Sequence, residues 1–230
     1  MNILNHFELP YCENNTTVIA STTGGGKSSV LESLILEHMQ KGFNCLYVGE
    51  VSSSYFFNRI KRKKEQCAYK KNENNGSLFY LSNDNFNLIK KLVNHNKIQS
   101  IFFDDYVGYQ QNILKHSKRL LTEKIIERKF LTKTNRDIIM ENMGSIRDVS
   151  NICDVSCYIS TSLQKSLNSD LGTRILHPID NTLIWSDVYM TVNKTTNVDN
   201  GFNAKISLIK NRYGCDNLSL QTRLWLIKIY

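Results

Sequence analysis

Thr16-Thr17-Val18-Ile19-Ala20-Ser21-Thr22-Thr23-Gly24-Gly25-Gly26-Lys27-Ser28-Ser29 decides how the rest of this chain is read. A β-branched, apolar run passes into a glycine-rich loop, then Gly-Lys-Ser, then an amphipathic stretch. From Ser28 to Gln40, Val30, Leu31, Leu34, Ile35 and Met39 recur at spacings of three and four, with Gly42 just beyond; this predicts a helix and its stop. Strand, glycine loop and helix in that order are the context a Walker A phosphate loop requires. Glycines let successive N–H groups turn inward, and the helix N-terminus adds partial positive charge. On this reading Thr23, Gly24, Gly25, Gly26, Lys27, Ser28 and Ser29 cradle a nucleoside triphosphate. Lys27 reaches the β and γ phosphates, and Ser28 offers its hydroxyl to Mg²⁺. The first position of the G-x-x-x-x-G-K-S pattern is Ser21 rather than Gly, a small residue where the chain turns out of the strand.

A phosphate loop needs a carboxylate at a neighbouring strand tip. Ser100-Ile101-Phe102-Phe103-Asp104-Asp105-Tyr106 is an apolar run ending in acid, the Walker B pattern, and it leaves the magnesium ligand open between Asp104 and Asp105. Hydrolysis further needs a base to polarise the attacking water. Leu46-Tyr47-Val48-Gly49-Glu50 ends another apolar strand in a single glutamate.

Outward from these segments, short apolar runs alternate with longer helix-compatible stretches. Strands are expected at Thr17 to Ala20, Asn44 to Val48, Leu78 to Leu81, Ser100 to Phe103, Ser156 to Ser160, Asp187 to Val192, Ala204 to Ile209 and Leu218 to Ile229. Ile138 to Cys153 and Phe86 to Leu92 carry weaker helical patterns. The alternation predicts an α/β fold with a mostly parallel sheet flanked by helices, and the closely spaced strands after Asp187 predict antiparallel hairpins added at one edge. The 230 residues and 41% apolar content suit one domain with a substantial core. Only two prolines occur, Pro10 and Pro178, and no linker or repeat divides the chain.

Apolar runs long enough to span a membrane are absent from the sequence, as is the residue order of a signal peptide. Six scattered cysteines without a C-x-x-C pair read as reduced thiols in a cytoplasm. The net charge of +8 is uneven. Arg59 to Lys71 holds seven basic residues and one acid, and Lys115 to Arg136 holds eight and two, so each cluster is +6 on a mildly acidic remainder. Such clusters fit either a phosphate-bearing partner or a solvated helix face.

Taken in order, these residues resemble the RecA-like motor domain of DnaB-type replicative helicases, particularly the divergent phage versions. Val18-Ile19-Ala20 through Lys27-Ser28 looks like the family's first motif, and Cys45 to Ser52 resembles the S-L-E-M-S element whose glutamate is the catalytic base. Leu78 to Leu81 matches the short strand that follows. Phe103-Asp104-Asp105-Tyr106 resembles its Walker B sequence. Tyr158 to Gln164 looks like the A-L-S-Q-L strand whose glutamine senses the γ-phosphate, with Gln164 displaced by one position. Ser186-Asp187-Val188-Tyr189 resembles A-D-V-V-L, and Ala204 to Gly214 closely follows I-I-A-K-Q-R-N-G.

The resemblance implies a RecA-like P-loop NTPase over residues 16–230, preceded by a short segment, 1–15, in place of the family's N-terminal domain and linker helix. It implies ATP and Mg²⁺ as cofactors, Lys27, Glu50 and Gln164 acting in cis, and Lys210 and Arg212 acting on a neighbour's ATP, with Arg212 the arginine finger. It further implies a homo-oligomer, a hexameric ring or alternatively a filament, working on single-stranded DNA with other replication or recombination proteins. Lys115, Lys118 and Arg119 in the loop from Gly108 to Arg136, and Lys165 and Arg174 in the loop from Lys165 to Asn181, are the expected DNA contacts. A phage-encoded chain would act in the bacterial host cytoplasm. A RecA-like recombination or annealing ATPase, and an ATP-binding loader or accessory protein, share enough of this pattern to remain alternatives.

Overall fold

Chain order in the computed structural model alternates strand and helix as the apolar periodicity demands; the structure describes residues 2–11, 14–66, 69, 72–82, 85–104, 135–168, 173–177, 180–198 and 201–225. The elements are α1 (Ile3–His6), β1 (Thr16–Ser21), α2 (Lys27–Gln40), β2 (Cys45–Val48), α3 (Ser53–Gln66), β3 (Leu78–Leu81), α4 (Phe86–Asn96) and β4 (Ser100–Phe103). After these come α5 (Asn135–Cys153), β5 (Ser156–Ser162), β6 (Gln164–Asn168), β7 (Thr173–His177), α6 (Asp180–Trp185), β8 (Val188–Val198), β9 (Gly201–Asn211) and β10 (Ser219–Trp225). Among the described residues, eight strands form one sheet in the order β10-β9-β8-β1-β5-β4-β2-β3. β3, β2, β4, β5, β1 and β8 are parallel to their neighbours. β9 and β10 close that edge as antiparallel hairpins.

Period two sorts each parallel strand onto two faces. Ile19, Tyr47, Phe102 and Tyr158 face the layer that holds α1, α2 and α3, while Val18, Ala20, Leu46, Val48, Ile101, Phe103, Cys157 and Ile159 face α4 and α5. Both faces are covered, so the central strands read as unbroken apolar runs. Extending the parity by two residues puts Asp104 and Ser160 on the face of Phe102 and Tyr158, beneath α2.

The initial segment is sealed into the same core. Ile3, Leu4, Phe7 and Leu9 are buried, and the buried carboxylate of Glu37 on α2 accepts from the N–H groups of Ile3 at 2.7 Å and Leu4 at 3.3 Å. The next residue, His38, is fully buried. Its imidazole contacts the Ser100 hydroxyl at 2.8 Å and the Tyr158 hydroxyl at 3.0 Å.

Three elements depart from the sequence expectations. α3 rises on a narrow stripe, Phe56, Ile60 and Lys63, whose third buried member is a lysine; the apolar pattern is therefore too short to announce a helix. The stretch expected as a loop from Lys165 to Asn181 instead contains the β6–β7 hairpin and the first turn of α6. β8 and β9 each run 11 residues, longer than their apolar cores, because paired polar residues such as Asn193 with Lys205 and Lys194 with Ala204 extend the ladder beyond them.

Candidate phosphate and metal site

Parallel strands place their C-terminal tips together, and β1, β2, β4 and β5 end at the same sheet edge. Out of β1, the chain makes a turn closed by Gly25 N–H to Thr22 O at 2.9 Å. Ser21, at the position where the pattern has Gly, is buried and bonds its hydroxyl back to the Thr22 carbonyl at 2.7 Å. A methyl group on Gly25 would lie 2.2 Å from that hydroxyl oxygen, so Ser21 is compatible with the loop only because Gly25 has no side chain. Gly24 and Gly26 take positive φ, 74° and 102°, a region that favours glycine.

Gly26 is the residue before α2 and supplies no side-chain cap. A helix opening this way presents backbone donors and the positive end of its dipole, suited to an anion. Gly24, Gly25, Gly26, Lys27, Ser28 and Ser29 all lie in this turn and first helical turn, with Thr23 ahead of them. Ser28 faces the sheet edge, where its hydroxyl donates to Asp104 Oδ1 at 3.0 Å. Asp105 lies outside the described residues. Two hydroxyls that the sequence reading did not single out complete the cluster: Ser160 donates to Asp104 Oδ1 at 2.6 Å and Tyr47 to Asp104 Oδ2 at 3.0 Å. Period-two parity was the signal that could have found both. Burial, with the Asp104 charge behind it, pushes the Tyr47 phenol far above its ordinary range, so it remains a donor. A hydroxyl and a carboxylate held together by neutral oxygens form the hard donor set that Mg²⁺ takes, and Ser28 and Asp104 fit it.

Glu50 follows the tip of β2 and is exposed. Its neighbours are fixed: Gly49 N–H bonds to Leu81 O at 3.2 Å, and the Tyr80 hydroxyl contacts the carbonyls of Gly49 and Val51. Gln164 opens β6 directly after Leu163, whose N–H donates to Ser21 O at 2.9 Å. That places the backbone of Gln164 beside the start of the phosphate loop.

Behind the loop, α3 grips α2 through buried charge. Lys63 is 2% exposed; its ammonium reaches the Ser29 carbonyl and hydroxyl and lies 3.5 Å from Glu32, which also pairs with Arg59. Burial raises the Glu32 carboxyl despite those two cations. Arg59 and Lys63 thus serve the interior, so the basic run from Arg59 is not a uniform outward patch. Lys115, Lys118 and Arg119 lie outside the described residues. Lys165 and Arg174 belong to the β6–β7 hairpin, with Lys165 opposite Leu176 and Arg174 opposite Leu167.

Lys210 and Arg212 sit at the other end of the sheet. Asn211 pairs with Val188 at the start of β8, and Asp187 bonds its N–H to Thr16 O at the start of β1. The Asp187 carboxylate accepts from Thr16 N–H at 2.9 Å, from Arg212 at 3.0 Å and from Arg147. Burial raises this acid, but those donors outweigh burial and hold it below its ordinary value. The Lys210 ammonium lies against the carbonyls of Leu183, Ile184 and Ser186 at the end of α6.

No helix among the described residues is long and apolar enough to cross a membrane. No family model matches the chain, and no curated protein matches it in sequence. Among solved structures, the ATPase domain of a DnaB-like helicase superposes with a TM-score of 0.63 at 11% identity, covering 94% of this chain and 86% of that one. The mostly parallel sheet, its flanking helices and its antiparallel edge are accordingly the α/β fold of a RecA-like ATPase domain.

Proposed function

We propose that the chain is an ATP-hydrolysing motor of the DnaB-like helicase kind, working on single-stranded DNA as a homo-oligomeric ring. The observation that carries this reading is the contact of Ser28 with Asp104 at the foot of a helix that opens without a side-chain cap. Lys27 and the loop amides would hold the phosphates, Ser28 and Asp104 would hold Mg²⁺, and Glu50 would take the proton of the attacking water. Bound Mg²⁺ would neutralise charge on the β and γ phosphates. Gln164, next to the backbone bond that joins Leu163 to Ser21, would sense the γ-phosphate.

Geometry supports action in trans by Arg212. β1 runs six residues from Thr16, beside Asp187, to Ser21 at the phosphate loop, a span of about 17 Å at strand rise. The guanidinium at one end of the sheet is therefore out of reach of its own loop at the other. A neighbouring subunit's nucleotide is the remaining target, and hydrolysis would then depend on assembly.

Sizing the protein with and without ATP and single-stranded DNA tests the assembly. A ring is expected; a filament would favour a recombination or annealing ATPase, and a monomer an accessory ATP-binding protein. Arg212→Ala is expected to lower turnover by about 10³-fold or more while sparing nucleotide affinity. Full turnover in a strictly monomeric sample would refute the proposal.

A further inference from the structure

We infer that Tyr80 and Tyr47 are positioning residues for hydrolysis: the Tyr80 hydroxyl sets the backbone on both sides of Glu50, and the Tyr47 hydroxyl sets Asp104. The inference rests on the proposed function, in which Glu50 is the base and Asp104 the magnesium carboxylate. Neither phenol is assigned a contact with nucleotide, so neither is a catalytic residue.

Glu50 has no buried partner to fix it. It is an exposed residue in the connection between β2 and α3, and each residue left free there would cost roughly 1–2 kcal/mol to order at the moment of reaction. Tyr80 removes that freedom. Its oxygen lies 3.2 Å from Gly49 O and also against Val51 O, the carbonyls that flank Glu50 in sequence. A phenol carries one proton, so the two carbonyls share it, and the peptide units on either side of Glu50 are tied to one point on β3. Burial raises the Tyr80 phenol above its ordinary value, which keeps that proton in place at neutral pH.

Tyr47 is the residue opposite Tyr80 in the β2–β3 register. The two rings lie 6.0 Å apart at 20°, and Phe56 stacks on Tyr47 at 3.8 Å. This slab has its polar ends at the two carboxylates: the Tyr47 hydroxyl donates to Asp104 Oδ2 at 3.0 Å. Its upper surface is covered by Gly49, where a methyl group would come 2.7 Å from the Tyr47 ring. Phenylalanine would fill the same space at both positions. The hydroxyls therefore serve the backbone at Glu50 and the carboxylate of Asp104, not the core.

Hydroxyl deletion separates these roles from plain packing. In the assembled protein, Tyr80→Phe is expected to lower kcat for ATP by about 10- to 100-fold, the scale of a small misplacement of a reacting group, with nucleotide Kd and the unfolding midpoint unchanged. It is expected to add nothing in a Glu50→Gln background, and to speed amide exchange at Glu50 and Val51. Tyr47→Phe is expected to weaken the Mg²⁺-dependent part of ATP binding by about 10-fold, as loss of a ligand's supporting bond does, read as the ratio of Kd with and without Mg²⁺. Tyr80→Phe with wild-type kcat, or with a loss that adds fully to that of Glu50→Gln, overturns the role of Tyr80. An unchanged Kd ratio in Tyr47→Phe overturns that of Tyr47. A wild-type assembly that turns over no ATP overturns the hydrolase reading itself, and the inference with it.

Discussion

Replacing Glu37 by Gln will expose a proton exchange hidden between successive residues of α2. Burial raises the Glu37 carboxyl from 4.5 to about 7, against the pull of the Ile3 and Leu4 N–H groups. Burial lowers the His38 imidazole from 6.5 to about 3. Between pH 4.5 and 6.5 the folded chain therefore carries a proton on Glu37, whereas the unfolded chain carries it on His38. The linkages oppose one another. Glu37, raised on folding, gives stability that is complete below pH 4.5 and lost as pH rises through about 7. His38, lowered on folding, gives stability that is complete above pH 6.5 and lost as pH falls toward about 3. In Glu37→Gln the His38 slope is uncompensated, at about 1.36 kcal/mol per pH unit, so acidification across this window costs the variant roughly 2.7 kcal/mol more than wild type. Urea unfolding at the two ends of the window measures it. All other groups are common to both proteins, and a weaker cap on Ile3 lowers the variant equally at both ends. Only the difference in slope counts, and parallel pH curves would refute the assignment.

Two further perturbations probe the loop and its support. Gly26→Ala strains a residue at φ 102° and brings a methyl group within 2.6 Å of Phe202, whereas Gly24→Ala at φ 74° meets open space. Both should lose roughly 1–2 kcal/mol to the left-handed backbone, and Gly26→Ala about 1–3 kcal/mol more to overpacking; equal unfolding midpoints would contradict the geometry. Lys63→Met should cost about 3–5 kcal/mol by leaving Glu32 buried with Arg59 alone. Adding Glu32→Met should recover much of that loss in a double-mutant cycle, and strict additivity would show that the two groups do not interact.

How far the sequence could be read depended on whether a signal was local. The phosphate loop was legible because its conformation is set by adjacent glycines and the helix they open, all within Ser21 to Ser29. Asp104 was legible as an acid ending an apolar run. Tyr47 and Ser160 were not singled out, although alternation along β2 and β5 places both beneath α2; a hydroxyl in a buried strand looks like core until a carboxylate is brought to it from another strand. α3 was hidden for the opposite reason. Lys63 occupies a buried stripe position that an apolar residue would have advertised, and its partner Glu32 lies on a different helix. The β6–β7 hairpin has no long apolar alternation, so its pairing of Leu167 with Arg174 could be seen only in three dimensions.

Sheet polarity joins these local readings into one argument about assembly. Every parallel strand brings its tip to the phosphate edge, so whatever is fixed at the start of β1 and β8 is directed away from that edge. Lys210 and Arg212 are both there, but their chemistry differs. An ammonium has three protons, and three carbonyls at the end of α6 stand around that of Lys210, a satisfied arrangement that stabilises a helix end. A guanidinium has five N–H donors in a fixed fork. The Arg212 side chain is 62% exposed and one of its nitrogens meets Asp187. The anchor and the outward reach are thus compatible in one side chain, because the bond to Asp187 fixes the plane of the fork and leaves other donors directed at solvent. Of the two cations, Arg212 is the one built to meet the phosphates of a neighbour, with Lys210 holding the segment that carries it.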